Sequence, residues 1–368
     1  MKNIKKIFYE NLEKSNEIFF NEFSEGFDEF LKTGWYILGE NVKQFELDFS
    51  SFNNSKYTIG VASGLDALHL SISSLNLEKG SEIIVPSNTY IATILAIINN
   101  GHIPVFVEPD ILTYNIDPKK IENKISINTK AILIVHLYGK SCEMDSIKEI
   151  VKKHSLFLIE DCAQAHGAKF KGDTVGNFGD FGAFSFYPTK NLGALGDAGA
   201  ITTNNLLNNE KIRRLRNYGS DVKYQNDVLG FNSRLDEIQA YFLKIKLRSL
   251  NLITDHKRKL AKIYFDNLSN EFIKPVLDDD YYDVFHIYNI RHENRDKIRE
   301  NLLKNAIHTE IHYPVAPHKQ KALKEFSNII NHDFLISEEI HNTTLSLPIS
   351  FGTTEEEVFR VCESLNRI

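Results

Sequence analysis

The chain reads as an α/β protein: a mostly parallel central sheet covered by helices on both faces, followed by a smaller C-terminal α+β domain. Short apolar runs at 57–62, 83–85, 105–108, 131–135 and 156–160 alternate with segments of helical periodicity. Strands buried on both faces of a parallel sheet have this appearance. The first run passes at once into Leu65, Leu68, Ile72 and Leu75, a helix stripe that begins at Ser63. Beyond about residue 255 the alternation gives way to mixed helices and short strands. At 368 residues the chain exceeds one average domain, so 1–250 is expected to hold an N-terminal segment and the large domain, and 251–368 the small one.

Ahead of the sheet, Ile4, Ile7, Phe8 and Leu12, then Phe20, Phe23, Phe27 and Phe30, recur at helical spacing, so residues 1–32 are expected to form packing helices. A helix over 92–98 follows the second apolar run. Residues 181–186 alternate small and aromatic side chains as a buried strand does, and Pro188 ends them. The stripe Leu235, Ile238, Phe242 and Ile245 opens a long helix expected to bridge the domains. Residues 285–290 and 344–347 supply strands to the smaller unit.

A hydrophobic content of 42% and a charged content of 25% are ordinary for a soluble globular protein. The net charge of −6 provides no general field for nucleic acid or an anionic membrane surface, so neither is expected as a partner. The cysteines Cys142, Cys162 and Cys362 form no CxxC pair and no metal-ligand spacing, which suits a reducing cytoplasm and argues against a metal site. The first residues lack the apolar core of a secretory signal, and no run is long enough to span a membrane. The sequons at Asn53 and Asn342 are then chance matches.

The chemistry centres on Lys190, in DFGAFSFYPTKNLGALGDAGAIT. A lysine after a strand is usually a solvated charge. Here Gly182, Gly193, Gly196 and Gly199 surround it with backbone that can approach something flat, and a lysine in a dry pocket loses its proton readily and forms a Schiff base with an aldehyde. Pyridoxal phosphate is the aldehyde expected. Asp161, directly after an apolar run, is costly unless a cation meets it; a protonated pyridine nitrogen qualifies, as would a helix cap or an ion pair. Gln164 and His166 would lie over the same ring, or simply bond backbone. Ser63 and Gly64 at a helix N-terminus suit a phosphate dianion, with Ser185 as a further donor. Tyr90 could stack on the ring or be a core tyrosine. Ser63, Asp161 and Lys190 all fall at the carboxyl ends of predicted strands, where open α/β sheets bind ligands. GALGDAG lacks the glycine spacing of a dinucleotide site.

These residues sit in VASGLDALHL, PSNTYIAT, PVFVEPDILTYNID, VHLYGK, EDCAQAHGA, SFYPTKNLGALGDAGAI, GFNSRLDEIQA and IHYPVAPHKQ. Together the motifs resemble the nucleotide-sugar aminotransferases of the DegT/DnrJ/EryC1/StrS group, from about residue 34 to the C-terminus. The resemblance implies an aspartate aminotransferase-like fold (fold type I), a homodimer, and pyridoxal phosphate held by Lys190. It implies that Asp161 meets the pyridine nitrogen and Gln164 the ring or its 3′-oxygen. Ser63, Gly64, Leu65 and Ser185 would hold the phosphate, with Asn232 reaching the partner subunit's cofactor. Tyr187, Lys223, Tyr224, His312, Tyr313 and His318 are the side chains expected near the sugar and pyrophosphate. The cluster Arg213, Arg214 and Arg216 reads as a solvated face.

The family also contains dehydratases that have histidine in place of the lysine; the resemblance with lysine here implies transamination. GDAGAI, where members acting at sugar C-4 tend to carry GEGG, is similar to the subset aminating dTDP-linked 3-keto-6-deoxyhexoses, with L-glutamate as donor. The rivals are a C-4 ketosugar aminotransferase acting on a dTDP- or UDP-linked sugar, and a non-catalytic cofactor-binding regulator. Cys162 stands where many members have alanine, which a small buried residue serves equally.

Overall fold

The computed structural model describes residues 5–326 and 333–367. Among the described residues twelve strands form in chain order: β1 (Tyr57–Val61), β2 (Glu82–Pro86), β3 (Ile103–Val107), β4 (Thr129–Val135), β5 (Phe157–Asp161), β6 (Lys169–Phe170), β7 (Asp173–Thr174), β8 (Phe181–Ser185), β9 (Gly199–Thr203), β10 (Tyr281–Tyr282), β11 (Tyr288–Arg291) and β12 (Thr344–Leu347). Seven build the central sheet in the order β1-β9-β8-β5-β4-β2-β3. Only β9 runs against the rest, antiparallel to both β1 and β8. The other six strands therefore present their carboxyl ends along one edge.

Period-two alternation splits these apolar strands between two cores. Ile83, Val85, Ala131, Leu133, Ile159 and Phe181 face a core closed by helices Gly64–Ser74, Ile91–Asn99 and Leu206–Leu215. Ile84, Ile132, Ile134 and Leu158 point the other way, against Met144 and Ile147 of helix Met144–His154. Farther along that face Phe184 and Phe186 meet Phe45 and Phe49 of helix Glu40–Asn53 and Leu243 of helix Glu237–Leu247. Each strand is buried twice, which is why its sequence shows no polar alternation.

A separate core gathers Leu260, Ala261 and Tyr264 of helix Leu250–Asn267 with Tyr288 and Ile290 of β11, Leu345 and Leu347 of β12, and Val358 and Val361 of helix Glu355–Leu365. Ile7 joins it from the far end of the chain, bridging Ile307 in parallel.

Three expectations change. Residues 5–10 form no helix, because Ile7 pairs with 306–308 as extended backbone; helices begin at Leu12–Asn16 and continue at Phe20–Thr33. Ile4 lies outside the described residues. The bridging helix is two helices that meet at Arg248 and Ser249, which lets the first pack on the sheet and the second on the small core. Leu235 precedes the first of them: Asp236 takes the N-cap position without a side-chain bond to the helix, and the Glu237 carboxylate turns aside to accept from the amides of Gly39, Asn41 and Val42 at 2.7–2.9 Å. The strand expected at 285–290 forms as Tyr288–Arg291. Its first residues are drawn off toward the sheet, where Val284 and Ile287 amides donate to Gly139 and Tyr138 carbonyls.

Candidate active site

Ser63 caps helix Gly64–Ser74: its hydroxyl accepts from the Asp66 amide at 3.1 Å and its carbonyl from Ala67 at 3.0 Å. The Gly64 and Leu65 amides have no protein partner among the described residues, so two donors at a positive helix end stay free for an anion. Gly64 lies so close to β8 that a Cβ on it would meet the Ser185 Cβ at 2.5 Å, and one on Gly199 would meet the Ser63 carbonyl oxygen at 2.3 Å. Glycine at both positions brings the Ser63 turn and Ser185 together.

Asp161 is the last residue of β5 and is buried. One carboxylate oxygen accepts from Thr93 Oγ1 at 2.9 Å, the other from the Ala163 amide at 3.1 Å. Burial raises its pKa, opposed by these two donors and by the charge of Lys190. Lone pairs remain on both oxygens for a cationic N–H. Beneath it Glu160 is saturated, accepting from the amides of Gly176, Phe178 and Gly179 at 2.7–2.8 Å and from His136 Nε2 at 3.0 Å. His136 Nδ1 accepts from the Cys142 amide, which fixes the tautomer with Nε2 as donor. His136, Glu160 and Cys162 bring their donor atoms within 4.8 Å of one another, but the imidazole nitrogens and the carboxylate are already committed to those bonds.

Gln164 accepts from the Tyr138 amide at 2.7 Å and donates to the Tyr313 hydroxyl at 2.9 Å. Tyr90 is 53% exposed, so it is no core tyrosine, and its ring lies 5.2 Å from that of Tyr313. The Tyr138 hydroxyl donates to the His312 carbonyl, and His312 Nδ1 pairs with Ser346 Oγ at 2.9 Å.

Lys190 follows β8 on a turn whose amide donates to the Tyr187 carbonyl at 2.8 Å. Burial lowers its pKa to about 8 against the pull of Asp161. Among the described residues its ammonium makes no ion pair. Other basic groups around it are held neutral by burial and by its charge: His312 is lowered to about 4 and His166 to about 3. His166 donates to the Ser185 carbonyl at 2.9 Å and packs against Phe184 and Phe186, so it braces β8.

The remaining predicted residues stand farther out. Tyr187 is 52% exposed beside Ser185, whose hydroxyl accepts from its amide at 3.3 Å. Asn232 shares a surface pocket with Ala62, Asp197 and Arg234. Lys223 and Tyr224 belong to an exposed loop, Tyr224 at 87%, with no bond to Lys190 or Asp161 among the described residues. His318 pairs with Glu338 at 3.1 Å and packs on Phe334. The arginine cluster is a correction: Arg213 and Arg216 both pair with buried Glu46, at 2.8 and 2.6 Å, and only Arg214 is spent on a surface partner, Asp221. Helical spacing could not show this, because Glu46 lies 170 residues from Arg216.

Sequence reasoning singled out neither Thr93 nor Tyr138, although PSNTYIAT and VHLYGK contain them. It also missed Asn191 and Lys257, whose Nζ donates to Asn191 Oδ1 at 2.8 Å. A lysine on a helix carries no local mark of burial. Along this edge an amine of lowered proton affinity, a buried carboxylate and free amides with a hydroxyl could hold an aldehyde, a ring cation and a phosphate respectively, so the residues fit pyridoxal phosphate.

The whole chain superposes on solved enzymes. A crystal structure of S. venezuelae DesV in complex with a ketimine intermediate matches with a TM-score of 0.95 at 37% identity, covering 98% of each chain. NtdA from Bacillus subtilis with bound cofactor PMP matches at 0.93 and 30% identity, over 100% of this chain and 86% of that one. The protein is a pyridoxal phosphate-dependent sugar aminotransferase of α/β fold. The DegT/DnrJ/EryC1/StrS aminotransferase family matches over residues 19–366, and the chain belongs to it. A dTDP-3-amino-3,6-dideoxy-alpha-D-galactopyranose transaminase from Aneurinibacillus thermoaerophilus is 52% identical over 358 residues, 97% of this chain and 98% of that protein.

Proposed function

We propose that this enzyme aminates C-3 of a dTDP-linked 3-keto-6-deoxyhexose, giving the dTDP-3-amino-3,6-dideoxyhexose, with L-glutamate as amino donor. The observation that carries the substrate is the 52% identity, over nearly the full length of both chains, to a transaminase whose name specifies that chemistry. The wording GDAGAI after Lys190 supports C-3 over C-4.

Lys190 is the proposed Schiff-base lysine and proton carrier. With a pKa near 8 its Nζ can give up and take back a proton close to neutrality. The cofactor supplies, when bound, an aldehyde for the amino group and a ring that takes up electrons. Asp161 holds a cationic ring N–H, steadied by Thr93 and Ala163. Gln164, kept in place by Tyr138 and Tyr313, orients the ring, and Tyr90 covers it. Ser63, Gly64, Leu65 and Ser185 bind the phosphate. Tyr187, Lys223, Tyr224, His312, Tyr313 and His318 are the side chains proposed for the sugar and pyrophosphate.

A homodimer completes the site, with Asn232 reaching the partner's phosphate. In a single chain Phe27, Leu31, Trp35, Tyr36 and Ile37 are each 41–65% exposed within one short segment, more apolar surface than a monomer ordinarily shows. The proposed division at 250/251 would put Lys190, Asp161 and the phosphate-binding residues in the large unit. A cytoplasmic location suits three free, buried cysteines, and no described helix is long and apolar enough to cross a membrane.

The test is to offer dTDP-linked 3-keto and 4-keto 6-deoxyhexoses side by side with glutamate. Turnover of the 3-keto sugar by at least about tenfold in kcat/KM over the 4-keto sugar is expected. The reverse preference would move the enzyme to the C-4 class.

A further inference from the structure

We propose that Lys257, a residue outside the machinery above, positions the Lys190 turn through Asn191 and, by its charge, favours the unprotonated form of the Lys190 nitrogen. The inference rests on Lys190 being the cofactor lysine. Lys257 lies on helix Leu250–Asn267 and is 3% exposed. Its Nζ donates to Asn191 Oδ1 at 2.8 Å and to the His286 carbonyl at 3.2 Å. Asn191, itself buried, donates through Nδ2 to the Val284 carbonyl at 2.9 Å. The residue next to the reactive lysine is thereby pinned between a helix of the small unit and the 284–286 segment.

The choice of a lysine for this post has a cost that a neutral side chain would avoid. A buried ammonium ordinarily sits on a carboxylate, yet both acceptors here are amide oxygens. The charged and titratable groups facing it come from every element around it. Glu10 approaches from the N-terminal segment and attracts it, Lys190 from the turn after β8 repels it, and Lys246 lies across Glu10 on helix Glu237–Leu247. His286 opposite and His256 on its own helix both lie within reach of its charge, and both are held neutral by burial. Burial lowers the Lys257 pKa only to about 8, so it remains mostly charged at neutral pH. Lys190 repels the Lys257 charge, and by the same repulsion a charged Lys257 raises the cost of protonating the Lys190 nitrogen.

The test titrates the visible absorbance of the cofactor-loaded protein with pH for wild type, Lys257→Arg, Lys257→Gln and Lys257→Met. Deleting the charge should raise the midpoint by about one unit or more, since a unit charge within about 12 Å at an effective dielectric constant near 20 is worth at least that much. Lys257→Arg should stay close to wild type. Lys257→Gln retains a donor for Asn191, so it keeps the test alive if Lys257→Met does not fold. Rates of Lys190 acylation in the apoprotein against pH, read by peptide mass, should rank the variants in the same order. An unmoved midpoint in the neutral variants, or an equal shift in Lys257→Arg, overturns the proposal. Borohydride reduction of the wild type separates the two levels. A tag on another residue defeats the assignment of Lys190, whereas a tag on Lys190 with unmoved midpoints defeats the role of Lys257 alone.

Discussion

The Gln164 amide donates to the Tyr313 hydroxyl at 2.9 Å across 149 residues of sequence, joining the segment after β5 to the 312–313 segment. The same side chain accepts from the Tyr138 amide, so one glutamine fixes three segments around the site. Gln164→Leu strands both partners. It is expected to cost about 1–3 kcal/mol in unfolding free energy and to weaken cofactor retention in equilibrium dialysis.

Lys190→Ala removes the amine at the centre of the site. The purified variant should lack the visible absorbance of wild type and have no measurable turnover, with an unchanged far-UV circular dichroism spectrum. Retention of either absorbance or turnover at the wild-type level would reject the assignment.

The lowered Lys190 pKa sets a pH dependence for cofactor uptake. Imine formation requires the free amine, so the second-order rate of pyridoxal phosphate binding to apoprotein should rise with pH and level off above about 8. Stopped-flow absorbance measures it directly; a rate that falls over that range contradicts the shift.

The role proposed for Asp161 comes at a cost in stability. Its folded pKa is raised, so the native state holds more protons than the unfolded one between the two values, and stability falls as pH rises through the folded pKa. Asp161→Asn apoprotein should therefore melt above wild type at pH 7. The gap should close below the ordinary aspartate range, where both forms are neutral. Turnover of the loaded variant should fall by about 100-fold or more, since nothing then keeps a ring N–H protonated.

The proposed site built across two chains predicts complementation. Lys190→Ala and Asn232→Ala, each inactive as homodimers, assemble one intact site per mixed dimer. Co-refolding equal amounts should restore about a quarter of wild-type activity for random pairing in a two-fold dimer. No recovery, with mixed dimers present by native mass spectrometry, excludes a site built across two chains.

Local pattern sufficed where neighbours in sequence are also neighbours in space. The strand and helix at 57–75, the buried run ending at Asp161 and the glycine frame of Lys190 were all legible, because each is dictated by periodicity or by backbone freedom within a few residues. It failed where a distant partner overrode the local signal. Ile7 abandoned its helical spacing to pair with Ile307, and two arginines that look solvated pair with buried Glu46.

The chain's own spacing thus settled that a lysine, an aspartate and an open helix end would share one edge of a parallel sheet, since strand polarity and the two-residue repeat leave few other arrangements. The folded molecule settled who touches whom: Thr93 on Asp161, Tyr313 on Gln164, Lys257 on Asn191. Those contacts join segments 66 to 149 residues apart, and it is long-range packing that removes water from between them. Desolvation is what moves the proton affinities on which the chemistry depends, and no short stretch of sequence carries it.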